Sequence, residues 1–452
     1  MSTVGSIVHL GREQAIWRAI LTGPTAERAQ VVVELIADRL RGVAADWIPD
    51  GLPDEYRGSI VNSPGLASGR AGLAVFYGYL ARTWSRKRDR ERSLQLLEEA
   101  IDLLAVTHTR ASLYAGYAGT AWVAEHLRRL LLGAEGEDPN GAIDEALLKH
   151  LDRSPWPDDY DLVNGLVGFG VYALERLPLP AAVECLTRIV ERLHEMAEHT
   201  PPGVTWLSSP TLLPAPQRAL APGGYYNLGV AHGIPGVIAL LAWACAADVS
   251  AEKARPLLEG AVEWLLAQRL PEIAGSTFPL WAAPGIDVRP ARLAWCYGDA
   301  GIAAALLSAA RCVGNSTWEA EAVAIARRAA RRRFEDSGVV DVGLCHGAAG
   351  LGHIFNRLYQ ATGDGELGGA ARQWFTHSLT MRRPNEGIAG YLASMRPPDG
   401  EERWVADPCF LTGAAGIGLA LLAAITPVEP AWDRVLLVSV PPTRSQRGAD
   451  RG

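Results

Sequence analysis

The sequence is short of the features that mark several protein classes. Its six cysteines, at 185, 245, 296, 312, 345 and 409, are too sparse in 452 residues for a disulfide scaffold. No C-x-x-C occurs, which argues against zinc fingers and thioredoxin-like redox sites. There is no surplus of positive charge: 43 Lys and Arg against 50 Asp and Glu leave a net charge of −7, and so no global field to draw nucleic acid or an anionic membrane. No apolar run reaches the roughly 18 residues of a membrane span; the two richest, 236–247 and 413–426, read as buried helices. The opening MSTVGSIVHLGREQ has neither a basic n-region nor a continuous apolar stretch, so no secretory signal is expected and the chain reads as cytoplasmic, with reduced thiols. Apolar residues at 48% and charged residues at 21% fit an ordinary globular protein, for which length alone allows about three domains.

What is there instead is a repeat. A Gly-x-x-Gly step followed by small and aliphatic residues occurs at Gly69/Gly72, Gly116/Gly119, Gly165/Gly168, Gly233/Gly236, Gly298/Gly301, Gly347/Gly350 and Gly413/Gly416. Successive steps lie 47 to 68 residues apart. Between them run segments with an apolar stripe at i, i+3, i+4, i+7: Leu97, Ala100, Ile101 and Leu104; Leu186, Ile189, Val190 and Leu193; Leu258, Ala261, Val262 and Leu265. The segments that follow the glycines are apolar nearly all round and must be buried on both faces. Seven alternations of an outer amphipathic helix with an inner apolar one predict one all-α domain in place of three. That domain is an α/α toroid, a double ring of seven helical hairpins, over residues 1–428 with its core repeats at about 60–426.

Glycines three apart share a helical face near its start, where the missing side chains are expected to let neighbouring backbones approach. Three longer Pro- and Gly-rich connections, residues 200–231, 269–294 and 382–411, are expected to cap one end of the ring, with short β structure in PGGYYNLGV. From about Pro427 the pattern is lost, and residues 429–452 read as a frayed, partly disordered tail.

Such a ring gathers all seven helix starts at one end, so residues just ahead of different glycine steps can meet there. They include Asp161, His232, Cys296 and the adjacent Cys345 and His346. Cys185, Cys245, Cys312 and Cys409 read as inert buried thiols. Cys296 and Cys345, at equivalent places in two repeats, fit that reading poorly. With His346 they form a three-ligand set that suits zinc and keeps a fourth position open, where an incoming thiol would lose its proton. By spacing alone the signal is weak, and the repeat supplies the reason for the two cysteines to meet. His353, two turns deeper, reads as a core histidine and not as a ligand.

The motifs AWCYGDAG, LCHGAAGLG and YYNLGVAHGIPG, with the sevenfold glycine repeat, resemble the lanthionine synthetase C-like (LanC) family of lanthipeptide cyclases over about residues 60–426. The resemblance implies a seven-hairpin toroid with one Zn2+ at its end. It also implies intramolecular addition of peptide Cys thiols to dehydroalanine or dehydrobutyrine, which forms thioether rings. By that resemblance Cys296, Cys345 and His346 match the zinc ligands, His232 the acid/base histidine, Asp161 the carboxylate that orients it, and Arg292 and Tyr297 other residues near the metal. The addition creates an enolate, which an always-charged Arg292 could steady and a histidine near neutrality could protonate.

The implied partners are a precursor peptide already dehydrated by a separate dehydratase, and an exporter. Each assignment has an ordinary rival: Asp161 as a helix N-cap, Tyr297 as packing, Arg292 as a surface residue. Two other readings of the whole chain stay open. One is a glutathione- or thiol-binding relative without cyclase activity; the other is a different zinc α/α-barrel thiol-alkylating enzyme, such as a protein prenyltransferase subunit.

Overall fold

The computed structural model describes residues 17–43, 63–133, 137–272, 275–395 and 401–442. Helix α1 (Gly23–Arg41) is followed by the pairs α2 (Arg70–Trp84) and α3 (Lys87–Val106), α4 (Tyr117–Leu132) and α5 (Gly141–Leu151), and α6 (Leu166–Arg176) and α7 (Pro180–Met196). After a short α8 (Ala215–Leu220) come α9 (Ile234–Ala246) with α10 (Ala251–Ala267) and α11 (Asp299–Val313) with α12 (Ser316–Ala330). A one-turn α13 (Phe334–Ser337) precedes α14 (Ala348–Thr362) with α15 (Gly365–Thr380), and α16 (Ala414–Ile425) stands last. The seven helices that follow a glycine step touch in the order α2, α4, α6, α9, α11, α14, α16, and α16 returns to α2. The inner ring is therefore closed, as the repeat predicts, and the other long helices form the outer wall.

The outer partner of α16 is α1, from the opposite end of the chain. The amides of Ile20 and Leu21 both donate to the carbonyl of Ala424 (2.9 and 3.0 Å), and Trp17 Nε1 donates to Ala423 (2.8 Å). The seventh hairpin is thus completed by a helix that lies outside the 60–426 span and that no glycine step announces.

The glycines do their work locally. A Cβ on Gly116 would lie 1.8 Å from the carbonyl oxygen of Arg110, and one on Gly119 1.7 Å from that of Leu113, in each case six residues back in the same chain. The backbone approach they permit is to their own preceding turn, where the sequence suggested a neighbouring helix. That turn supplies the acceptors a helix start lacks. In the third hairpin the amides of Leu166, Val167 and Gly168 donate to the carbonyls of Asp159, Tyr160 and Asp161, and in the seventh those of Ala414, Ala415 and Gly416 donate to Asp407, Pro408 and Cys409. No inner helix needs a side-chain cap, and none has one.

Burial follows the expected division with one change of phase. The inner helices α9 and α16 bury nearly every residue, and the stripes of α7 and α10 are buried as read. At about 1.5–3 kcal/mol for each large aliphatic side chain taken out of water, these two-sided inner helices carry most of the drive to close the ring. In α3 the buried face is Asp89, Ser93, Leu96 and Ala100, while Ile101 is 44% exposed. Two polar side chains turn the helix there: Asp89 pairs with Arg41 of α1 (2.6 Å) and Ser93 Oγ donates to the carbonyl of Ala74 (2.7 Å).

Among the described residues the long connections carry three two-stranded antiparallel ribbons. They are β1 (Glu198–Thr200) with β2 (Gly203–Thr205), β3 (Tyr226–Asn227) with β4 (Trp281–Ala282), and β5 (Ala393–Met395) with β6 (Arg403–Val405). The strand expected in PGGYYNLGV is β3, and its pairing with β4 ties two of the long connections together across the mouth. The first ribbon instead packs on outer helix α10, β2 lying along it.

The chain from Pro427 to Pro442 does not fray. Trp432, Val435, Leu436 and Val438 are buried along the ring axis. Tyr114 Oη donates to the carbonyl of Val435 (2.7 Å) and Trp295 Nε1 to that of Leu436 (2.8 Å). Asp433 pairs with His353 and Arg357, and Arg434 with Glu175. The rest of the expected tail, 443–452, lies outside the described residues. No helix among the described residues is long and apolar enough to cross a membrane.

Candidate metal centre and active site

The turns that precede the inner helices are bonded to one another around the axis. The amides of Trp295 and Cys296 donate to the carbonyl of Cys345, that of Cys345 to Leu411, those of Phe410 and Leu411 to Ala67, and that of Ala67 to Tyr114. On the other side the amide of Ala231 donates to Cys296 and that of Leu162 to Ala231. Residues two before six of the glycine steps, with Leu162 three before the other, therefore stand side by side on a backbone belt. Cys296 and Cys345 meet because they hold this place in consecutive hairpins, five and six, and His232 stands next to them in hairpin four.

Cys296, Cys345 and His346 offer ligand atoms that all lie within 4.8 Å of one another. Cys296 is buried, and Cys345 and His346 are half-buried. The Cys345 thiol donates to the Cys296 sulfur, so the pair shares a proton: Cys296 is held well below the ordinary thiol range, with His346 and the Arg292 charge helping, and Cys345 is pushed up. His346 Nδ1 is buried with no hydrogen-bond partner. Two sulfurs, one already thiolate-like, and an unsatisfied imidazole nitrogen are a donor set that fits zinc, which takes thiolate and imidazole ligands in tetrahedral geometry and keeps an open position in catalytic sites.

Arg292 Nη2 lies 3.8 Å from Cys296 Sγ, so this residue faces the cluster and is no ordinary surface arginine. Beside it, His232 Nδ1 is 2.6 Å from Asp161 Oδ2. The other oxygen of Asp161 accepts the amide of Asn164 (2.6 Å), so the carboxylate both caps its turn and engages the histidine. Burial alone would favour a neutral His232, but the hydrogen bond and charge of Asp161, with the charges of Cys296 and Asp159, raise its pKa above the ordinary imidazole value. Tyr297 stacks on His232 with ring centroids 6.1 Å apart, and burial raises its phenol pKa. His353 lies elsewhere: it pairs with Asp433 (2.7 Å) and stacks on Trp432, a core histidine as read.

Three further residues at this end were not singled out in the sequence. Asn227 is fully buried; its Oδ1 accepts the amide of Gly229 (2.8 Å) and its Nδ2 donates to Tyr297 Oη (3.2 Å). Asp159, pushed up to about 6 by burial and by the Asp161 charge, lies near enough to His232 for each to feel the other's charge. Asp341 lies 3.7 Å from His346 Nε2. All three stand six residues before a first glycine, a regularity visible only once the repeats are aligned on their glycines. Two glycines fix the local backbone. Gly229 leaves room for Cys296, whose carbonyl oxygen a Cβ would approach to 2.2 Å, and Gly298 follows Tyr297 at φ +132°. A cavity of about 770 Å³ opens among the other ends of the inner helices, lined by Tyr79, His126, Leu174, Trp243 and Arg434, and contains none of these site residues.

A closed seven-hairpin ring defines a class of protein, and this chain shares it with a known family and a solved structure. The profile of the family described as "Lanthionine synthetase C-like protein" matches residues 60–437, and the chain belongs to that family. It is 25% identical over 321 residues to the "Nisin biosynthesis protein NisC" of Lactococcus lactis subsp. lactis, a match that covers 65% of this chain and 74% of the relative. The solved structure of a "Nisin cyclase" superposes with a TM-score of 0.68 at 19% identity, covering 91% of this chain and 97% of that one, which shows the shared fold.

Proposed function

We propose that the protein is a zinc-dependent lanthipeptide cyclase. It adds Cys thiols of a dehydrated precursor peptide to dehydroalanine or dehydrobutyrine and so forms lanthionine and methyllanthionine rings. Membership of the lanthionine synthetase C-like family supports the reading, and one observation carries it: the convergence of Cys296, Cys345 and His346 beside the hydrogen-bonded His232–Asp161 pair. When bound by Cys296, Cys345 and His346, zinc lowers the pKa of an incoming thiol enough to hold it ionised at neutral pH.

The remaining chemistry falls to the side chains around it. As the new C–S bond forms, the electron pair of the alkene moves toward the adjacent carbonyl, and a proton must reach the neighbouring carbon. Asp161 fixes His232 Nδ1 as the N–H that faces it, which leaves Nε2 to carry the proton in transit. The raised pKa lets His232 hold its proton to higher pH than an ordinary imidazole, as a proton donor requires. Arg292, always charged and directed at the cluster, is placed to stabilise the enolate oxygen. Tyr297, locked by Asn227 and stacked on His232, holds the imidazole plane. The same reading places the enzyme in the cytoplasm, after a separate dehydratase and before an exporter.

Ring closure leaves the mass of the peptide unchanged, so the test counts thiols. A dehydrated Cys-containing precursor is incubated with the purified protein and then alkylated. The wild type is expected to remove thiols from alkylation, and the Cys296→Ala, Cys345→Ala double variant is not; normal ring closure by that variant refutes the proposal. Thiol binding without thioether formation would favour the non-catalytic relative instead.

A further inference from the structure

The turn that carries His346 also carries a buried carboxylate directed at it. Asp341 is 1% exposed, and its Oδ2 accepts the amide of Ser394 (3.1 Å) and lies 3.7 Å from His346 Nε2. That separation is an ion-pair distance and longer than a hydrogen bond. The other ring nitrogen, Nδ1, is buried without a partner. One nitrogen of His346 therefore looks at a carboxylate and the other is left bare, in a residue whose ligand atom lies within 4.8 Å of both cysteine sulfurs.

The pairing is built into the turn. In the seventh hairpin Asp407 stands six residues before its glycine and accepts Thr412 Oγ1, the residue just ahead of that glycine. Asp341 and His346 hold those same two places in the sixth hairpin. The first acceptor at this position serves the turn itself: Asp407 Oδ1 takes the amide of Cys409 (2.8 Å), and in the fourth hairpin Asn227 Oδ1 takes that of Gly229 (2.8 Å). Asn227 then sends its Nδ2 outward, to Tyr297 Oη. In the first hairpin Ser63 Oγ does the same turn duty for the amide of Gly65 (3.1 Å). Arg110 and Arg292 hold the position in the second and fifth hairpins; where Asp, Asn or Ser stands there as a turn former, only Asp brings a second, anionic acceptor to the residue ahead of the glycine.

Resting on the zinc reading above, we infer that Asp341 is a positioning residue for the metal ligand His346. Its charge, 3.7 Å away, favours the proton on Nε2, fixes that tautomer and leaves Nδ1 as the coordinating atom. A carboxylate behind a ligating histidine orients the ring and raises its basicity, and losing it costs about 10–100-fold in metal affinity.

The test strips the full-length protein of metal and titrates it with zinc alone against a chromophoric chelator. Asp341→Asn can keep an oxygen toward the Ser394 amide but removes the charge that favours the Nε2–H tautomer; zinc affinity is expected to fall about 10–100-fold. Asp341→Ser, which borrows the turn former of the first hairpin, Ser63, is the second variant and is expected to lose affinity likewise. Asp407→Asn makes the same change in a turn with no ligand and is expected to stay within about twofold of wild type, on the same ligand-orientation argument. The spectrum of the cobalt-substituted protein, which a merely weakened turn would not alter, is expected to change for the two Asp341 variants only. Wild-type affinity in Asp341→Asn, or equal losses in the Asp341 and Asp407 variants, overturns the inference and leaves the zinc reading standing. A wild-type protein that takes up no zinc overturns both.

Discussion

Replacing Asp161 with Asn separates what this carboxylate does for the fold from what it does for His232. The amide oxygen can still accept the amide of Asn164, so the turn is kept and the melting temperature should move by no more than about 2 °C. The bond to His232, 2.6 Å in the structure, changes character: Nδ2 is a donor, so Nδ1 must become the acceptor and the proton moves to Nε2. A hydrogen bond with a charged partner contributes about 1.5–3 kcal/mol. At 1.4 kcal/mol for each factor of ten, kcat for ring closure is expected to fall about 10- to 150-fold.

The pH dependence carries a sign. In the wild type Asp161 raises the His232 pKa, so the proton donor persists to higher pH, and activity declines only as pH rises through that raised value. In Asp161→Asn the same decline sets in at lower pH. The assay is the initial rate of thiol loss on a dehydrated precursor between about pH 5 and 9, the span over which an imidazole titrates. A variant that is folded, as active as wild type and unshifted in its alkaline limb would show that the His232–Asp161 pair has no part in the chemistry.

Two other perturbations probe the frame around the site. Gly229→Ala would bring a Cβ within 2.2 Å of the Cys296 carbonyl oxygen and 2.8 Å of the Tyr297 ring, neither of which can swing away. The backbone must shift by an appreciable part of an ångström, which is expected to cost about 1–3 kcal/mol of stability and about a hundredfold in turnover, read by denaturation and by thiol loss. At the other end of the ring burial opposes ionisation of Glu175, but Arg434 and His126 together hold its pKa down to about 2. A depressed carboxylate contributes stability above its unfolded pKa of about 4.5, and that contribution, about 3 kcal/mol, is lost as pH falls from there to about 2. In Glu175→Gln the loss of stability between pH 7 and pH 2, followed by denaturant midpoints, is expected to be smaller by that amount.

The ring was legible in the sequence because each inner helix needs two glycines at fixed spacing, and the need comes from the chain's own turn six residues back. The same turn explains why the residues just ahead of Gly233, Gly298 and Gly347 could be named as neighbours: the belt of backbone bonds joins like positions in successive hairpins. What escaped has no local signature. Helix α1 reads as one more amphipathic segment, and only closure of the ring requires it beside α16, nearly 400 residues away. The segment from Pro427 to Pro442 lost the glycine pattern because it fills the axis and not the wall. Its anchors are ion pairs, such as the buried Asp433 with Arg357 and the half-buried Arg434 with Glu175, whose partners are spread over the ring. Asn227, Asp159 and Asp341 were passed over because Asx residues ahead of helices are common, and only their shared offset from the glycines marks them.

Diffraction from crystals of the purified wild-type protein, recorded on either side of the zinc absorption edge, tests the centre of this account most directly. Zinc held by the three ligands gives one anomalous peak in the ring mouth, about 2.3 Å from Cys296 Sγ and Cys345 Sγ and about 2.0–2.1 Å from His346 Nδ1. A fully occupied peak elsewhere in the molecule, or a disulfide between Cys296 and Cys345 in protein prepared without oxygen, would contradict it.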